Sequence, residues 1–209
     1  MGGSGVSDAA APAGWPVALR GVTESVVATL GPNDRWNQAA LGLHAPDTEN
    51  DPVTAVTWGQ TRTRGNFERR GGGVVQFTTD PREFVDAALD ITETEEPVRD
   101  GAAAWVEVDT ERVAEGDEDG TEWVRWALTP TSSNVVERTV PTTNRGFYAV
   151  VDATVAASRL DVPAYDTATL LDRLAYFAET VERCGGPRER AAFDRVDELT
   201  DWRDRNESF

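Results

Sequence analysis

The stretch "GQTRTRGNFERRGGG", Gly59–Gly73, stands between two runs of strand-forming residues and carries the strongest local signals in the chain. Before it, "VTAVTW" (Val53–Trp58) is β-branched and aromatic, and after it "GGVVQFTTD" (Gly72–Asp80) reads as a second strand. The intervening "RGNFERR" has room for one or two helical turns before Gly71, Gly72 and Gly73 break it. The unit is strand, short helix, strand, and its neighbours decide what it belongs to.

Toward the N-terminus, "RGVTESVVATL" (Arg20–Leu30) reads as a strand, "GPNDRWN" as a turn, "NQAALGLHAP" as a short strand of small and apolar residues, and "TENDP" as a loop. Toward the C-terminus, Asp80 can serve as N-cap, Pro81 fits the first helical position, and Glu83 would complete a capping box ahead of "FVDAALD". "AAAWVEVDTERV" and "TEWVRWALTP" alternate apolar and polar as a hairpin across the acidic stretch "AEGDEDGTE" (Ala114–Glu122), which reads as a solvated turn. "NVVERTV" is a candidate further strand.

After Pro141 the period changes from two to about 3.6. "NRGFYAVVDATVAASRL" places Phe147, Val150, Val151 and Val155 on one helical face. The next helix aligns Leu170, Leu171, Leu174, Phe177, Ala178 and Val181 and stops at "CGG", where Gly185 suits the left-handed position after a helix. A last helix begins near Pro187 and repeats Phe193, Val196, Leu199 and Trp202. Strands first and helices after predict an α+β fold, with a β-barrel rather than a βαβ sheet. The expected organisation is a flexible leader over residues 1–14, a barrel domain over 15–140 and a C-terminal helical subdomain over 141–209.

Composition narrows the classes. The chain has 209 residues, 39% of them hydrophobic, with seven Trp and seven Phe, enough to fill a sizeable core. Its net charge is -17, from 37 Asp plus Glu scattered along the chain against 20 basic residues, all of them Arg. Such a surface stays soluble through strong like-charge repulsion that salt screens, and the composition resembles that of haloarchaeal cytoplasmic proteins. It disfavours nucleic acid, which requires a broad basic stripe. No window has the apolar length of a membrane span, and the start lacks the basic-then-apolar order of a secretory signal, so a cytoplasmic protein is expected. The single Cys184 and single His44 argue against a disulfide framework and against thiolate- or His-based metal sites, so no metal is expected.

Against that acidity, Arg62, Arg64, Arg69 and Arg70 fall within nine residues, opposed locally by Glu68 alone. A bound phosphate requires converging donors and positive charge. The hydroxyls of Thr61 and Thr63, the guanidinium groups of Arg62 and Arg64 and the free N–H groups opening the short helix could supply them. The segment is neither a Walker loop nor a dinucleotide fingerprint. On pattern alone the same arginines read first as surface ion pairs, worth about 0–1 kcal/mol each. His44 has no neighbouring nucleophile, and Cys184 lies on an apolar helix near its C-terminus, so both read as structural.

The order "GVTESVVATL", "NQAALGL", "TWGQTRTRGNF", "GGVVQFTTDPREFVDAAL" and "NRGFYAVVDATVAASRL" resembles an archaeal family of uncharacterised flavin-reductase-like proteins with an FMN-binding split-barrel fold. The resemblance runs from about Gly14 to Leu160 and more loosely beyond. It implies a six-stranded, Greek-key-like barrel and a homodimer with FMN sites at the subunit interface. It also implies a flavin-dependent oxidoreductase that could draw on NAD(P)H or another electron donor, or else a non-catalytic FMN carrier, sensor or dimeric scaffold. The family's phosphate segment falls on Thr61, Thr63 and Asn66, with Arg62 and Arg64 as charge partners. Its small-residue second strand falls on Asn37, Ala39, Ala40, Leu41 and Gly42, whose backbone would line the polar edge of the flavin ring. Gln76 stands in the fourth strand where relatives commonly show Asn, and the resemblance implies it as a candidate for contact with the flavin ring. Trp36 and Trp58 are near enough to stack on a ring, although core packing is the simpler expectation for both.

Overall fold

β1 (Val22–Leu30) and β2 (Trp36–His44) form the founding hairpin, paired from Val22↔His44 to Leu30↔Trp36 around a turn in which Asp34 adopts φ 57. Described here, from a computed structural model, are residues 11–48, 51–118, 120–140 and 142–207; most of the expected leader, residues 1–10, lies outside them. β3 (Val53–Trp58) is followed by α1 (Arg62–Arg70) and β4 (Gly72–Thr78), as the central stretch predicts. Then come α2 (Pro81–Leu89), a three-residue β5 (Thr92–Thr94), β6 (Ala102–Glu118) and β7 (Thr121–Val135).

All pairings are antiparallel, and the sheet runs β1-β4-β6-β7-β3-β2 before β2 closes on β1, giving a six-stranded barrel with β5 added against β2. One edge of β2 is divided. Trp36–Gln38 pair with β5, Leu43 and His44 pair with β3, and the register leaves Ala39–Gly42 between them without a partner on that edge among the described residues.

The barrel interior is filled by β-branched and aliphatic residues at alternate positions, among them Val27, Leu43, Val53, Val75, Val106 and Val124, with Trp15 and Trp126. Each such side chain contributes about 1.5–3 kcal/mol by leaving water. α1 sends Phe67 into this core, edge-on to Trp126 at 5.3 Å between ring centroids. The glycines after it are required: Gly71 caps α1 at φ 71, while a Cβ on Gly72 would lie 2.5 Å from the Val108 carbonyl oxygen.

The helical part is α3 (Arg145–Ala157), α4 (Thr167–Cys184), α5 (Pro187–Thr200) and α6 (Trp202–Glu207). α2 joins it to the barrel. Phe84 and Ala87 pack on Val26 of β1, Ala40 of β2 and Val151 of α3, while Val85 enters the helical core. Arg195 of α5 adds ion pairs to Asp86 at 3.0 Å and Asp90 at 2.8 Å.

Several local expectations change. Asp80 caps α2 through the Arg82 N–H at 2.9 Å, but Glu83 does not reach back to complete a capping box. It turns to accept from Gly101 N–H at 3.2 Å and Thr78 Oγ1 at 3.1 Å, and pairs with Arg99 at 3.6 Å. "AEGDEDGTE" is mostly strand, because β6 and β7 pair out to Glu118↔Thr121. "NVVERTV" adds no separate strand; β7 ends at Val135. On α3 the packed face is Ala149, Val150, Ala153 and Ala157, leaving Val155 37% exposed, since small residues let α4 approach closely. Gly185 ends α4 at φ -80 rather than in the left-handed region, and a Cβ there would lie 2.6 Å from the Val181 carbonyl oxygen. α5 breaks at Asp201, φ 50, which turns Trp202 in against Phe193.

Candidate functional site

β3 delivers Trp58, Gly59 turns the chain at φ 67, and Thr61 caps α1 by accepting from the Arg64 N–H at 3.2 Å. Helix geometry then leaves the N–H groups of Arg62 and Thr63 without intrahelical partners. The first turn of α1 contains no acid and two arginines, an arrangement its dipole disfavours unless anions stand close. Protein carboxylates provide them. Arg62 meets Glu93 at 2.9 Å, and Arg64 meets Glu68 at 3.3 Å and Glu122 at 3.2 Å. Burial works against the Arg64 charge, but the hydrogen bonds to Glu68 and Glu122 outweigh it and hold the guanidinium more firmly protonated than usual. Arg70 pairs with Asp34 at 3.3 Å, and Arg69 bonds the Gly65 carbonyl at 3.1 Å and Asn66 Oδ1 at 2.9 Å.

Thr61 and Thr63 face a cleft of about 840 Å³. Its floor is the unpaired part of β2, Ala39–Leu41, with Phe84, Ala87 and Ala88 of α2. One wall is Val56, Thr57 and Trp58; Glu118 and Thr121 at the end of the long hairpin also line it. The other wall comes from the helical part: Thr154, Val155, Ser158 and Arg159, then Val162, Ala164 and Tyr165 of the α3–α4 connection. Thus Ala39, Ala40, Leu41, Thr61 and Thr63, distant in sequence, open into one space.

The other expected residues lie outside that lining. Asn37 is buried on β2, where it pairs with Thr29 and Glu93 across the neighbouring strands. Gly42 sits under Glu24, whose carboxylate oxygens are 3.9 Å from where a Cβ would be. Asn66 donates to Thr29 Oγ1 at 2.9 Å and ties α1 to β1. Gln76, 1% exposed, donates to Gln38 Oε1 at 3.0 Å and the Pro97 carbonyl at 2.9 Å and accepts from the Arg99 N–H at 2.7 Å. It pins the Pro97–Arg99 loop to the barrel. Arg62 and Arg64 are engaged by carboxylates as described. Trp36 also lies outside the cleft, whereas Trp58 is 48% exposed within it rather than packed in the core.

Glu24 faces the cleft from β1. Burial, reinforced by Asp152 and partly offset by His44, raises its carboxyl above the usual range, so it holds a proton more readily than an ordinary glutamate. The sequence reading missed the α2 floor and the helical wall as parts of a site. Among the described residues no group of three His, Cys, Asp or Glu could hold a metal ion, and no helix is long and apolar enough to cross a membrane.

A closed antiparallel barrel with one divided edge opening into a cleft, followed by a helical subdomain, defines the split-barrel class. The chain belongs to the DUF447 family of proteins of unknown function: the family's N-terminal domain matches residues 23–137 and its C-terminal part residues 144–198. The FMN-bound protein MM1853 from Methanosarcina mazei, of the same family, shares the fold with a TM-score of 0.74 at 22% identity, over 87% of this chain and 96% of that one. The styrene monooxygenase flavin reductase SMOB from Pseudomonas putida S12 aligns at a TM-score of 0.40 and 11% identity, over 55% of this chain and 79% of its own. An FMN-binding protein from Thermus thermophilus gives 0.39 and 13%, over 56% and 73%.

Proposed function

We propose that this chain binds FMN noncovalently in the cleft between barrel and helices, as a cytoplasmic homodimer, and acts as a flavin-dependent oxidoreductase. The observation that carries the reading is that the start of α1 and the unpartnered edge of β2 open into the same cleft, in a chain that shares family and fold with an FMN-bound protein.

The residues present fit the cofactor. Thr61 and Thr63, with the N–H groups of Arg62 and Thr63, offer donors to a phosphate at the positive end of α1. The carboxylates pairing Arg62 and Arg64 leave guanidinium N–H donors to spare, which could add hydrogen bonds to that phosphate. Ala39 and Ala40 keep the β2 surface low enough for a flat ring, and the free edge of Ala39–Gly42 can hydrogen-bond a ring's polar rim. Trp58 offers an aromatic face. Bound FMN supplies the redox chemistry, while the protein binds, orients and excludes water. Glu24 is the acidic side chain on β1 placed to hold a proton within the cleft.

The test is the absorption spectrum of the purified protein in concentrated salt, followed by thermal shift on adding FMN. Absence of both flavin absorbance and a shift overturns the reading. Bleaching of bound FMN by NADH or NADPH supports turnover; FMN that stays oxidised with either donor points instead to a carrier, sensor or scaffold.

A further inference from the structure

The helical wall of the cleft has one cationic group, and it has not been neutralised. Arg159 lies just past the end of α3, with its guanidinium carbon 4.9 Å from the centre of the Tyr165 ring. A cation held over the ring face is attracted to it without using its N–H donors. Among the described residues its side chain meets no carboxylate or carbonyl, in a chain whose other arginines largely do. The nearest acid in sequence, Asp161, is taken by Arg205 at 2.8 Å. The hydroxyls beside it are also occupied: Thr154 donates to the Val151 carbonyl at 2.7 Å and Ser158 to that of Val155 at 3.1 Å. Arg159 is therefore the unspent cationic donor of this wall.

Its surroundings restrict what it could hold. Val155, Val162, Ala164 and the Tyr165 ring make the wall largely apolar, with Trp58 also lining the cleft. The other ionisable residues in the lining, Glu24 and Glu118, are both acidic, and the exposed Glu118 carboxylate would repel a polyanion. One bidentate guanidinium on an apolar wall matches one carboxylate on an apolar body. The α1 end is a different wall: α1 packs on β1, β2 and β4, whereas α3 packs on α2, α4 and α5.

We propose that Arg159 and Tyr165 form a second ligand subsite in the cleft, which takes an organic monocarboxylate with an apolar or aromatic body. That this ligand is the substrate side of the reaction rests on the flavin reading above; the subsite itself rests on the wall alone. The test uses benzoate as the probe, with benzamide as its uncharged isostere and pyrophosphate as a polyanion, each titrated by calorimetry into the full chain, with and without FMN. Benzoate is expected to bind saturably and about tenfold or more tighter than benzamide, with R159M erasing that difference and R159K restoring part of it. Coincident melting curves of R159K and wild type check that the fold is retained. Benzoate binding no better than benzamide, an unchanged R159M, or pyrophosphate binding the FMN-loaded protein more tightly than benzoate in a manner lost in R159M would each overturn the proposal. Failure of the wild type to take up FMN would sink the flavin reading and leave the benzoate result on FMN-free protein to judge the subsite.

Discussion

Replacing Gln76 with Leu separates two roles for this residue: ring contact, as the family resemblance implies, and internal support, as its hydrogen bonds indicate. Gln76 is buried and serves three partners, Gln38 Oε1 at 3.0 Å, the Pro97 carbonyl at 2.9 Å and the Arg99 N–H at 2.7 Å. In Q76L the Pro97 carbonyl keeps its bond from Gln38 Nε2 at 3.1 Å, but Gln38 Oε1 and the Arg99 N–H lose the partner they have here. Each stranded buried group costs about 1–3 kcal/mol, so Q76L should lose about 2–4 kcal/mol after the added apolar burial offsets part of the loss. For a chain of this size that lowers Tm by roughly 5–15 °C, measurable by thermal scanning at constant high salt. The Q38L/Q76L double variant should cost less than the sum of the singles, since both share one hydrogen bond. Below its own Tm, Q76L should keep FMN affinity within about threefold of wild type, under 1 kcal/mol. A Q76L protein as stable as wild type that has lost FMN would refute this reasoning and return Gln76 to the ring.

Three further outcomes follow from the same structure. E24Q should be more stable than wild type at neutral pH, because the folded carboxyl has a raised pKa and its ionised form is disfavoured. The difference should shrink as pH falls through that raised value and vanish below the ordinary 4.5, as followed by denaturant titrations across pH. T61A should lose about 1 kcal/mol through the missing cap of α1 and should also weaken FMN binding, whereas T61S should recover both, as read by melting and flavin titration. G72A should cost about 1–3 kcal/mol, because its Cβ must displace the Val108 carbonyl and part β4 from β6; an unchanged denaturation midpoint would show that the ladder yields freely there.

Much of the fold was legible because it rests on local chemistry. β-branched runs named β1, β3 and β4, the Asp80-Pro81 pair marked the start of α2, and the 3.6-residue stripe of Leu170, Leu171, Leu174 and Val181 described the buried face of α4. β5 was not legible, since three residues of "TET" carry no period and take strand form only against Trp36–Gln38. Nor was the packed face of α3, where valine and alanine compete and the closeness of α4 selects alanine. Of the site, the small residues of β2 and the threonines flanking Arg62 could be named in advance, and the fold brings them to one cleft. Their arginine neighbours illustrate the limit. Arg62 finds Glu93 and Arg64 finds Glu122, 31 and 58 residues away, and among 37 acidic side chains nothing local singles out those two.

By itself, then, the sequence determined most of the elements, the segregation of strands from helices and an acidic surface, all set by the periodicity, caps and composition of short segments. Only the tertiary structure decided which edge of β2 stays open, which charges are spent on one another and that the α3–α4 connection walls the cleft. Those outcomes depend on distances between residues far apart in the chain, and such distances exist only once the barrel has closed and the helices have packed against α2.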